Sequence, residues 1–157
     1  MELHGTSDGS GCRFAIVTAR FNPEITEGLL RGARAALAGA GVADGDVTIV
    51  RVPGAFELPV AARKLAETRR YDAVIVLGCL IKGETMHFEY IASAASHGIM
   101  DVATTTGVPV AFGLLTALTD PQAAERSGDD DANKGREAAL AAVEMATLLR
   151  RVWQASV

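Results

Sequence analysis

Four short apolar runs rich in β-branched residues punctuate the chain: Phe14–Ala19, Val47–Val52, Ala73–Leu77 and Val108–Leu115. Runs of this length and make-up predict strands buried on both faces, as parallel strands are. Between them the period changes. Ile25, Leu29, Ala33 and Leu37 recur every four residues and predict one buried face of a helix, which Gly39 and Gly41 bring to an end. A second helix is predicted from Leu58 to Arg69, with Pro59 in its first turn. A third begins near His87 and stops near Gly107. A short helical segment covers Pro121–Arg126, and a last helix runs from Asn133 to Arg151. Alternating strand and helix predicts an open parallel sheet with helices on both faces. No repeat, linker or composition break divides the chain, so residues 13–157 are expected to form one α/β domain. Residues 1–12, polar and glycine-rich, are expected to be a flexible arm, or a strand that orders only against a neighbour.

Composition narrows the function classes. The 157 residues suit one domain with a sizeable core. With 15 basic against 19 acidic residues the net charge is −4, which disfavours nucleic acid as the main partner. No apolar run reaches the length of a spanning helix, and no signal-peptide pattern opens the chain, so no membrane partner is expected. Two cysteines without a CxxC make no disulfide framework, which fits a reduced, cytoplasmic setting. Alanine is abundant; its main expected use is as a helix former.

The polar residues fall where the pattern breaks. Arg20-Phe21-Asn22 follows the first run, and Pro53-Gly54-Ala55-Phe56-Glu57 the second. The third leads into a segment read as a loop, Gly78-Cys79-Leu80-Ile81-Lys82-Gly83-Glu84-Thr85-Met86-His87, and Thr116 and Thr119 follow the fourth. Ligands of open α/β sheets bind beyond the carboxyl ends of the strands, so these segments are expected to share one edge. His87 is the side chain best suited to proton transfer near neutral pH. Thr85 and the backbone N–H groups ahead of the third helix suit an anion. Other readings stay open. Phe21 caps the core or offers a face to a planar ligand. Glu57 serves a helix dipole or accepts from hydroxyl groups. Asn22 before Pro23 reads as a helix cap, and His97 as structural.

Gly128–Gly135 imitates a P-loop, but Asn133 precedes the lysine and Gly135 replaces the Ser/Thr that holds magnesium. Asp129, Asp131 and Asn133 imitate a calcium loop, but Lys134 takes the place of the required glycine and Leu140 that of the glutamate. No H-x-x-x-H, G-x-S-x-G or G-x-G-x-x-G is present. Chemistry without a metal or cofactor is expected.

Five segments in order, RFN at 20–22, VPGAFELP at 52–59, GCLIKGETMHFEY at 78–90, GVPVAFGLLT at 107–116 and NKG at 133–135, resemble the lumazine synthases. The resemblance implies a flavodoxin-like three-layer αβα sandwich with a four-stranded parallel sheet. It implies condensation of 5-amino-6-(D-ribitylamino)uracil with 3,4-dihydroxy-2-butanone 4-phosphate, the penultimate step of riboflavin biosynthesis. It implies small-molecule substrates, a homopentamer or larger pentamer-based shell with sites between subunits, and riboflavin synthase as a candidate partner. By position, Phe21 would stack on the pyrimidine, and Ala55, Phe56 and Glu57 would line the pyrimidine and ribityl pocket. Cys79, Leu80 and Ile81 would meet the uracil edge, largely through backbone. Glu84, Thr85 and Arg126 would meet the phosphate, and His87 would shuttle the proton. Phe112, Arg126 and Lys134 would come from the neighbouring subunit. Cys79 and Lys82 depart from a common threonine and arginine. Asp129–Asp131, where many relatives carry a lysine, are expected to weaken phosphate binding. A flavodoxin proper would want a Ser/Thr-rich loop after the first strand and a receiver domain an aspartate ending the third, neither of which is present. A non-catalytic binding or shell protein of the same fold is the alternative.

Overall fold

The computed structural model describes residues 1–156. Four strands, β1 (Phe14–Ala19), β2 (Val47–Val52), β3 (Ala73–Ile81) and β4 (Val110–Ala117), form one parallel sheet in the order β2-β1-β3-β4. Five helices connect and cover them: α1 (Pro23–Gly39), α2 (Leu58–Glu67), α3 (His87–Thr106), α4 (Asp120–Glu125) and α5 (Lys134–Ala155). Side chains alternate across a strand, and β1 and β3 divide theirs between two cores. Phe14, Ile16, Ile75 and Leu77 meet α1 and α5; Ala15, Val17, Val74 and Val76 meet α2 and α3. The fold is a flavodoxin-like three-layer sandwich.

The boundaries differ from the sequence reading in ways that matter. β3 runs four residues beyond Leu77, so Gly78–Ile81 are strand and not loop. They pair with Leu114–Ala117 of β4, and that ladder satisfies their backbone on the β4 edge. β4 starts two residues late. Pro109 has no N–H to give a ladder, and the Val108 N–H is taken by Thr106 Oγ1 at the end of α3 (3.2 Å). α2 stops at Glu67, where Thr68 N–H and Arg69 N–H tighten the last turn onto Leu65 and Ala66 carbonyls and Arg69 turns to φ 57°. α5 continues four residues past Arg151.

The alanines serve packing as much as propensity. Ala33, Ala36, Ala138, Ala139, Ala142 and Ala146 are buried where α1 and α5 flank the sheet. At their closest approach Gly135 has no room for a side chain, because a Cβ there would lie 2.0 Å from the Leu29 carbonyl oxygen. Asn133, 2 % exposed, locks the crossing. Its Oδ1 accepts from Arg136 N–H (2.9 Å) and caps α5, while its Nδ2 donates to the carbonyls of Gly28 (3.0 Å) and Gly128 (2.8 Å). Residues 1–12 form no helix or strand. They lie against α5 and the end of α1, with Thr6 N–H on Thr147 Oγ1 (2.8 Å), Arg151 on the His4 carbonyl (2.7 Å) and Gly9 N–H on the Ala40 carbonyl (2.8 Å).

Asn133→Ala removes a helix cap and the donor shared by two carbonyls, one of those bonds buried. It should lower stability by about 3 kcal/mol, read as a drop in the urea midpoint with an unchanged slope. Gly135→Ala should cost at least as much, about 3 kcal/mol, because the obstacle is backbone.

Candidate functional site

β1 and β2 end level with one another, but β3 does not stop with them. The β1–β3 register ends at Thr18 opposite Leu77. No β1 residue stands opposite Cys79, Leu80 or Ile81, and a ledge opens beside them. The turn after β1 crosses it, tied to the turn after β2 by Arg20 N–H on the Val52 carbonyl (2.8 Å) and Phe21 N–H on the Pro53 carbonyl (3.2 Å). The turn after β2 closes into a 3-10 turn at Ala55–Glu57. The start of α3 forms the far wall.

A cleft of about 480 Å³ lies between these parts. Phe21, Ala55, Phe56, Glu57, Leu80, Ile81, Thr85 and His87 all line it. So do Asn22, Pro53, Gly54, Gly83, Phe88 and Ile91, which the sequence reading did not assign to a ligand. Ile91 follows His87 by four residues and follows Phe88 by three, a helical spacing that was the available signal. Phe21 (66 % exposed) and Phe56 (64 % exposed) answer the question left open for Phe21: neither fills the core. Glu57 stands before the first turn of α2 but makes no cap hydrogen bond there, so its carboxylate is left to the cleft. No side chain caps the first turn of α3 either; the nearest is Thr85 Oγ1, 3.5 Å from His87 N. The start of a 20-residue helix is thus open to an anion beside Thr85.

Asn22 departs from its expected role. It stands at the helix boundary, but its side chain caps nothing. Instead Nδ2 reaches across the ledge and donates to the Cys79 carbonyl at 2.9 Å. Cys79 lines no part of the cleft with its thiol, which is 2 % exposed among the α1 and α5 core residues. Burial, aided by the charge of Asp120, pushes that thiol up to about 11. His97 is held by the Ser93 carbonyl one turn back (2.8 Å).

Glu84, Phe112, Arg126 and Lys134 lie outside the cleft. Phe112, 49 % exposed, sits on β4, the edge strand, on the α2 and α3 side of the sheet. Arg126 and Lys134 adjoin one another through Lys134 N–H on the Arg126 carbonyl (2.9 Å). Nη1 of Arg126 donates to the Gln122 carbonyl (2.9 Å), and Lys134 Nζ pairs with Glu137 (2.7 Å). The threonines expected after the fourth strand stay apart as well: Thr116 lies within β4, opposite Leu80, and Thr119 caps α4 by accepting from Gln122 N–H (3.3 Å). The fourth strand end therefore does not join the other three. Asp129–Asp131, expected to weaken phosphate binding, have partners other than Arg126. Asp129 pairs with Arg31 (3.6 Å) and Asp131 with Arg136 (3.3 Å), and Asp130 accepts from Ala132 N–H (2.9 Å). A larger depression of about 710 Å³ lies there, between α1, the start of α5 and the 128–131 loop. Its arginines and aspartates already satisfy one another, and it holds no proton-transfer group of the His87 kind.

A family model for 6,7-dimethyl-8-ribityllumazine synthase matches residues 11–150. The chain belongs to this family. Lumazine synthases are transferases that carry out a condensation in riboflavin biosynthesis, act on small molecules and form oligomers. The match takes in every element that walls the cleft. No helix among the described residues is long and apolar enough to cross a membrane.

With a pKa of about 11, Cys79 is ionised in only about one molecule in a thousand at pH 8. Burial also raises the thiol of Cys12. Iodoacetamide at pH 8 should leave both unmodified in the native protein and alkylate both in denaturant, as intact mass would show.

Proposed function

We propose that the chain condenses 5-amino-6-(D-ribitylamino)uracil with 3,4-dihydroxy-2-butanone 4-phosphate to give 6,7-dimethyl-8-ribityllumazine, phosphate and water. The observation that carries this reading is one cleft holding two exposed aromatics, a carboxylate with no structural duty, an uncapped helix start and a histidine. Phe21 and Phe56 offer faces to a planar ring. Glu57 accepts from ribityl hydroxyls. The ledge beside Cys79, Leu80 and Ile81 offers backbone to the uracil edge. Thr85, Glu84 through its backbone, and the N–H groups of the first α3 turn receive the phosphate.

The reaction asks little else of the protein. The substrate amine attacks the ketone and loses water as an imine forms, so no lysine nucleophile is needed. A proton then leaves carbon as phosphate departs, and ring closure with loss of a second water completes the lumazine. His87, at the cleft wall between the ring and phosphate positions, takes and returns these protons. Holding two reactants in contact supplies much of the remaining rate.

Phe112, Arg126 and Lys134 complete the site from a second copy of the chain. Their position outside the cleft supports this, as does the apolar surface along α3, where Met86, Tyr90 and Met100 stand exposed. A homopentamer, alone or in a larger shell, is the assembly proposed.

Mixing the protein with both substrates should yield the fluorescent lumazine well above the uncatalysed rate; background rate from an assembled sample would refute the assignment. His87→Ala should lower kcat by about 10²-fold while pyrimidine affinity changes less than about threefold; an equal loss in both removes the proton-transfer role. Arg126→Ala should raise KM for the phosphate substrate about tenfold or more and leave that for the pyrimidine near its wild-type value.

A further inference from the structure

We infer that Asn22 is a positioning residue: by bridging from the β1 turn to the Cys79 carbonyl it holds Phe21 where the ring must stack. This rests on the reading above of Phe21 as the stacking face.

Three observations lead there. Asn22 adopts φ 57°, ψ 60°, a left-handed conformation that asparagine tolerates and most residues do not. The conformation is not used for capping, since its side chain gives α1 nothing. Its one strong side-chain bond is long-range, Nδ2 to Cys79 O at 2.9 Å, and it falls on the stretch of β3 where β1 no longer supplies a partner. The bridge therefore does two things at once. It satisfies a carbonyl on the overhanging strand, and it fastens the turn that carries Phe21 to that strand.

Phe21 has few other restraints. Its ring is two-thirds exposed, and its backbone is tied to the neighbouring turn by one bond of 3.2 Å to Pro53 O. An exposed aromatic on a turn with such thin support stacks well only if the turn is held before the ligand arrives. Without the bridge, ordering Phe21 would be charged against binding, and the ring affinity would fall while the proton chemistry at His87 stayed as it was.

Two substitutions separate the bridge from the backbone. Asn22→Gly keeps the left-handed conformation open and removes the donor. Asn22→Asp keeps the shape but offers a carboxylate to a carbonyl. In the ligand-free protein, amide exchange at Phe21 should speed up about fivefold in Asn22→Gly, the size expected of one neutral hydrogen bond, and at least as much in Asn22→Asp. This arm reads the bridge whether or not the substrates are those proposed. With the substrates, KM for the pyrimidine should rise about fivefold, with kcat and KM for the phosphate substrate within twofold. In a Phe21→Ala background, Asn22→Gly should add less than a twofold further change, because a residue acting through Phe21 has nothing left to position. Unchanged exchange at Phe21, a wild-type Asn22→Asp, or a pyrimidine penalty that persists in full without the Phe21 ring would each overturn the inference. Absence of any turnover in the wild type would instead refute the proposed reaction and leave the exchange result standing.

Discussion

β3 continues for four residues past its last partner in β1, and it can do so because β4 continues with it. A strand with one edge unpaired must find other partners for its backbone, and here the neighbouring strand stops short. That mismatch in length makes the ledge. The turns after β1 and β2 fold over it, the start of α3 rises beyond it, and the cleft is what these parts enclose. Had β1 run as far as β3, the ledge would have been a closed ladder. Had β3 stopped with β1, Leu80 and Ile81 would have belonged to a loop free to move.

The scaffold beneath has to be stiff for the ledge to hold its shape. Its stiffness comes from small residues. Alanine and glycine let α1 and α5 approach until backbone meets backbone at Gly135 and Leu29, and Asn133 ties both helices and the 128 turn with a single side chain. The same node sets where Lys134 starts α5, and through Lys134 N–H where Arg126 sits. Packing on one side of the sheet thus fixes two cations that, in the proposed function, serve the cleft of a second copy.

Most of this architecture was legible from period and punctuation. β1, β2, the glycine stops and Pro59 in the first turn of α2 stand where the pattern put them, while β4 lies two residues further on. The extent of β3 was hidden because Gly78 and Cys79 read as loop chemistry, whereas a glycine in a central strand is also what lets Leu58 and Leu114 pack over it. The site was legible in residue type more than in geometry. His87, Phe21 and Glu57 are unusual where they stand, and the cleft collects them. Asn22 was misread because a cap and a cross-strand bridge call for the same residue next to proline, and only the position of the Cys79 carbonyl tells them apart. The separation of Phe112, Arg126 and Lys134 from the cleft could not come from composition or period, since neither encodes which groups meet within one copy.

Cys79 carries two constraints on different atoms. Its sulfur answers to the core on one face of the sheet, and its carbonyl answers to Asn22 at the edge of the cleft. The two demands do not compete. Any small side chain that fills the same space behind the sheet leaves the carbonyl where it is, so the side chain is free to vary while the bond to Asn22 stays constant. The tie to the β1 turn at this position is written in main chain, and a change of side chain does not erase it.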